Sequence, residues 1–224
     1  MTTDRQNYNE FLLRRLHSLT GVLPLAVFIF FHFFANSYSR QGDAAFNRVV
    51  DSLRGLPYLH FISWGLLLTP FLFHIVLGMW IVFTGKSNTA RFAHPRNFAF
   101  LLQRVTAVIV MVFVIYHVVS MKYVHLPENG VNYYAILREK FSSPFVYWWY
   151  VVGVAATAFH LANGICTFCM TWGITVGRTA QKYMALAMTG VGIVIFLIGI
   201  SALNGFVKDS RASVAAASVV TSAP

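Results

Sequence analysis

The sequence predicts an all-α integral membrane protein of five transmembrane helices, and three observations point there. Hydrophobic residues make up 57% of the 224 residues, charged residues only 11%, and the mean hydropathy is +0.62. Soluble domains carry roughly a quarter charged residues, so a water-soluble core does not absorb this much apolar surface. The apolar residues also gather into five blocks, each at or above the ~20 residues that cross a hydrocarbon layer as a helix. Finally, the basic residues lie between those blocks rather than along a continuous stripe. The formal charge of +10 therefore reads as charge flanking membrane helices and excludes a nucleic-acid surface.

In order, the blocks cover residues 16–38, 59–85, 98–123, 145–172 and 183–206. The connections are 39–58, 86–97, 124–144 and 173–182. Residues 1–206 read as one transmembrane domain, and 207–224, rich in Ala, Ser and Val, as a disordered tail. The opening MTTDRQNYNEF carries acids as well as bases and no short apolar core with a cleavage site, so no removable signal peptide is expected. Lys and Arg are denser in the short connections 86–97 and 173–182, whereas Asp43, Asp51, Glu128 and Glu139 dilute the longer ones. The expected orientation has the N-terminus in the cytoplasm.

Of eight histidines, His17, His60, His94 and His125 fall at helix ends or in connections. His32, His74, His117 and His160 sit inside the runs FIFFHFFA, FLFHIVLG, FVIYHVVS and TAFHLANG, one on each of four consecutive spans. An ionisable group at that depth marks a functional site. The first and third spans run in one direction, and His32 and His117 each lie about six residues, roughly 9 Å, before the span ends. The second and fourth run the other way, with His74 and His160 each about 11 or 12 residues, roughly 17 Å, from theirs. Only the pairs His32 with His117 and His74 with His160 give two matched levels.

Two imidazoles facing each other across a helical bundle are the axial ligands of a haem iron. Zinc or a di-iron centre calls for carboxylates or thiolates beside the histidines, and none of the five blocks contains Asp or Glu. Two haems are thus expected, held by four of the five helices, with the fifth a packing helix. Cys166 and Cys169 form C-x2-C, but Met170 stands where covalent haem attachment needs His, so the haems are non-covalent. The cysteines read as small hydrophobes. Haem propionates need cations or hydrogen-bond donors at the membrane margin. Arg15, His17 and Ser18 at the start of the first span, Gln103 and Arg104 at the start of the third, and Trp172 at the end of the fourth lie nearest the His74 and His160 level. A weak repeat accompanies this arrangement. His74 and His160 are each followed by glycine at the fourth position, Gly78 and Gly164, and Thr20-Gly21-Val22 corresponds to Thr106-Ala107-Val108. The glycines leave room for a flat macrocycle.

Through RRLHSLTGV, FHIVLG, LQRVTAVI and FHLANG followed by TWGITV, nearly the whole hydrophobic part resembles the two-haem cytochrome b membrane anchor of succinate dehydrogenases and fumarate reductases, in the single five-helix form of the succinate:menaquinone reductase type. That resemblance implies a bacterial inner (cytoplasmic) membrane complex with a flavoprotein carrying FAD and an iron-sulfur subunit, able to assemble into a higher oligomer. It implies electron transfer to a quinone, with menaquinone the expected type. It also implies propionate contacts at His17, Ser18 and Trp172, and a quinone-linked acid for which Asp51 is the candidate here. Thr171 stands where some relatives have a lysine. No bond-making catalytic residue is expected on this chain. Two other readings use the same residues: an anchor for a different dehydrogenase, and a haem-free transporter relaying protons through its histidines.

Overall fold

The computed structural model describes residues 2–86, 89–122 and 131–221, with side chains for 8–86, 89–121 and 131–207. His125 and Glu128 lie outside the described residues, and the expected tail begins where the described side chains end. No strand occurs among the described residues. Five helices are long and apolar enough to cross a membrane: Tyr8–Gln41, Phe61–Thr84, Pro95–Met121, Pro144–Thr171 and Arg178–Val207. The last belongs to a helix that runs Arg178–Thr221. Exposed Phe, Leu, Ile, Val and Trp cover their outer faces, as a hydrocarbon solvent requires.

The first span reaches further toward the N-terminus than hydropathy suggests, and there Glu10 pairs with Arg14 one turn on at 2.8 Å. Two spans contain π-helical segments, Gly21–Ala26 and Phe61–Leu68. Proline explains both. Pro24 lies inside the first and Pro70 just beyond the second; each lacks an N–H and crowds the carbonyl four residues back, so the ladder opens locally. The Trp64 carbonyl accepts from both the Thr69 N–H and, at 2.9 Å, the Thr69 hydroxyl.

The first four spans pack in a ring, first against second, second against third, third against fourth, with the fourth closing on the first. The fifth lies outside that ring against the fourth and the second half of the first. Small residues let it approach. A Cβ on Gly192 would sit 3.1 Å from the Ala162 Cβ, and one on Gly205 would meet the Ser39 carbonyl carbon at 2.7 Å. Ser39 Oγ donates to the Ala202 carbonyl at 2.7 Å, and the Tyr134 hydroxyl to the Gly205 carbonyl at 2.9 Å.

The two long connections contain helices, Asp43–Arg54 and Tyr133–Lys140, which hydropathy alone does not reveal. The first is amphipathic, with Ala45 and Phe46 buried. Both lie at one end of the bundle and are tied together by Asn47 donating to Asn132 Oδ1 at 2.9 Å and Asn132 donating to Asp43 at 2.7 Å. The fourth span ends on Gly173, whose φ of 70° suits glycine, and the Gly173 N–H donates back to the Met170 carbonyl.

Candidate functional site

The ring of four spans brings the four deep histidines together in two pairs. His32 and His117 have ring centres 5.9 Å apart at 79°, and His74 and His160 have ring centres 6.4 Å apart at 86°. Two imidazoles bound through Nε2 to one metal, at about 2 Å per bond, have their centres about 6 Å apart, so both separations fit a shared metal between the rings. Among the described residues no group of three or more His, Cys, Asp or Glu converges, so a carboxylate or thiolate centre has no donor set there.

The rings are aimed from behind. His74 Nδ1 lies 3.0 Å from the His17 carbonyl, and His160 Nδ1 lies 3.2 Å from the Gln103 carbonyl. A carbonyl only accepts, so each Nδ1 carries the proton and leaves the Nε2 lone pair free, the arrangement by which metal-ligating histidines are held in one tautomer. Thr20 and Thr106 hydroxyls stand 3.5 and 3.4 Å from the same two nitrogens. On His117, Nδ1 lies 3.0 Å from the Tyr150 hydroxyl. Neither the carbonyls nor Tyr150 stand out in the sequence, because their partners are 57 and 33 residues away.

The margin beside His74 holds most of the residues expected there. His17 stacks on His74 with ring centres 4.0 Å apart at 14°. Trp172 Nε1 donates to Ser18 Oγ at 3.0 Å, and the Arg15 guanidinium lies 5.0 Å over the Trp172 ring. Arg15 Nε and His17 Nδ1 are buried without a partner. Two orphaned polar nitrogens beside a histidine pair suit an anionic carboxylate ligand, such as a haem propionate.

Arg104 is placed differently. Its guanidinium lies over Phe100 and near the Ile81 carbonyl at 3.4 Å, toward the end of the second span. The glycines of the repeat serve packing: the His17 ring lies over Gly78, and the Gln103 amide over Gly164. Asp51 is exposed on the helix Asp43–Arg54. Beside it a shallow 240 Å³ cavity is lined by Tyr38, Gln41, Arg48 and Ser52 among others, but not by Asp51. Cys166 and Cys169 are buried and free.

A ring of four membrane-spanning helices with paired histidines at two depths, and a fifth helix packed outside it, is the architecture of a multi-pass membrane cytochrome b. The chain belongs to the succinate dehydrogenase/fumarate reductase transmembrane subunit family, which residues 89–200 match. It is also 34% identical over 198 residues to the succinate dehydrogenase cytochrome b558 subunit of Bacillus subtilis (strain 168), covering 88% of this chain and 98% of that protein.

Proposed function

We propose that this chain is the dihaem cytochrome b anchor of a succinate:quinone oxidoreductase, passing electrons between an iron-sulfur subunit and membrane quinone. The observation that carries the reading is the pair of facing histidine couples, His32 with His117 and His74 with His160, at spacings that fit one metal each. Each haem, when bound, supplies a one-electron iron couple. The chain's own residues do the rest. The His17 and Gln103 carbonyls hold Nδ1–H of His74 and His160, leaving each Nε2 lone pair free for a metal. Arg15, His17, Ser18 and Trp172 would hold propionate carboxylates at the margin. The apolar spans exclude water from both centres.

The short basic connections lie at the end nearer His74 and His160, which makes that end the docking face for the iron-sulfur subunit and the cytoplasmic side. The quinone is then met at the other end, near His32 and His117, with menaquinone the expected type and Asp51 the candidate acid. Purification in mild detergent tests the reading. The expected result is two haems b per chain with co-purifying flavoprotein and iron-sulfur subunits and succinate:quinone activity. A colourless protein would overturn it in favour of a histidine-relay transporter, and a different dehydrogenase partner in favour of another anchor.

A further inference from the structure

Lys140 closes the loop helix Tyr133–Lys140 and points back into the bundle. Its Nζ donates to Ser120 Oγ at 2.5 Å, lies 3.8 Å from Met121 Sδ, and sits 5.4 Å from the ring centres of both Tyr116 and Tyr150. No carboxylate lies in an ion pair with it among the described residues. Burial pulls its pKa below the ordinary lysine value. What holds this half-buried ammonium is neutral: a hydroxyl, a thioether and two aromatic faces.

Those neutral partners lead straight to one histidine. Ser120 Oγ donates to the His117 carbonyl at 3.1 Å, and the Tyr150 hydroxyl meets His117 Nδ1 at 3.0 Å. Tyr150 is buried, 5% exposed, so little water stands between the ammonium and the ring. An acid beside Lys140 would cancel its field; with none among the described residues, the field reaches the His32 and His117 centre through a poorly screened interior. No equivalent lysine contacts His74 or His160 among the described residues.

We propose that Lys140 is a positioning residue for electron transfer: a positive charge with no acid beside it among the described residues, seated by Ser120, Tyr116 and Tyr150, that raises the reduction potential of the His32 and His117 centre alone. The inference rests on the function proposed above. A fixed cation disfavours the oxidised centre, which carries one more positive charge than the reduced one. The expected effect is on the order of tenfold on the ratio of reduced to oxidised centre, or ~59 mV for one electron.

Optical redox titration of the purified complex tests this at fixed pH, comparing wild type with Lys140→Met, Lys140→Gln and Lys140→Arg. The component at His32 and His117 is identified as the one altered by His117→Tyr. In Lys140→Met its midpoint falls by about the stated amount while the other component stays in place. Lys140→Arg restores most of the loss, and Lys140→Gln, which keeps a donor for Ser120 without the charge, does not. Should Lys140→Met fail to assemble, the comparison of Gln with Arg decides alone. An unmoved midpoint, equal movement of both components, or full restoration by Gln overturns the role of Lys140 while leaving the dihaem reading intact. Absence of haem from wild type overturns that reading and this inference with it.

Discussion

Gln103 occupies in the third span the place that His17 occupies in the first. Each offers its backbone carbonyl to the Nδ1 of a histidine 57 residues later, His160 and His74 respectively, and each is followed three residues on by a threonine whose hydroxyl approaches the same nitrogen. The two halves of the four-helix ring thus hold His74 and His160 by the same device. Their side chains differ: the His17 ring stacks on His74, while Gln103 donates to the His160 carbonyl at 3.1 Å and accepts from Asn163 at 2.8 Å. Among the described residues, orphaned nitrogens occur on the His17 side and not on Gln103, which favours the first half of the repeat for the proposed propionate contacts.

Gly21 is the tightest point of that device. A Cβ there would stand 2.6 Å from His74 Cε1, nearer than real contacts allow, so Gly21→Ala must shift the imidazole. The expected outcome is an altered low-temperature spectrum for the haem of His74 and His160, with the other haem unchanged, and a loss of stability of about 1–3 kcal/mol. The reverse change at the corresponding position, Ala107→Gly, removes bulk and leaves both spectra unchanged. An unaltered spectrum in Gly21→Ala would show that His74 is not held as described.

Attachment of the fifth helix depends on Gly205. Any side chain there meets the Ser39 backbone and its hydroxyl, which is held by donating to the Ala202 carbonyl, so neither surface can yield cheaply. Gly205→Val is expected to lower stability in detergent by about 1–3 kcal/mol, read by thermal unfolding, while haem content and spectra persist because the fifth span lies outside the ring. Loss of both haems would mean that the fifth helix is part of the binding site.

Hydropathy made the five spans legible because a membrane helix must be apolar along its whole length, and depth arithmetic made the four histidines legible because polar groups are rare there. The loop helix Asp43–Arg54 was readable from its apolar positions at Ala45, Phe46, Val49, Val50 and Leu53, spaced three and four apart, but hydropathy averages them away. What holds the histidines was not legible. The His17 and Gln103 carbonyls belong to the backbone and carry no residue signature, and Tyr150 and Lys140 reach His117 only through tertiary packing. Arg104, which the sequence places at the level of Arg15, has its guanidinium beside the end of the second span, a neighbour that charge alone does not reveal.

Orientation can be read from the connection between the second and third spans. Arg91 is exposed there, and the proposed topology puts it in the cytoplasm. With Cys166 and Cys169 buried, a single introduced thiol in Arg91→Cys is expected to resist an impermeant maleimide in intact cells and to react in inverted vesicles. Labelling from outside intact cells would reverse the topology, moving the iron-sulfur docking face to the other end.

The pairing of the histidines gives the most direct test of the site. In the proposed dihaem arrangement, replacing one of the four histidines by leucine would remove one of two ligands, so either member of a pair would disturb the same haem and leave the other nearly intact. His32→Leu and His117→Leu are expected to share one spectral phenotype. His74→Leu and His160→Leu share the other, losing the haem nearer the iron-sulfur subunit and with it electron entry from succinate. Assembly complicates the reading, because an empty pocket leaves a cavity and an unpaired imidazole in a small bundle. His→Tyr and His→Met keep a polar or polarisable side chain at the same position and allow low-temperature spectra and redox titrations of whatever accumulates. The ring separations of 5.9 and 6.4 Å pair His32 with His117 and His74 with His160. Grouping of the His32 and His74 variants, or equal disturbance of both haems by all four, is therefore incompatible with this bundle.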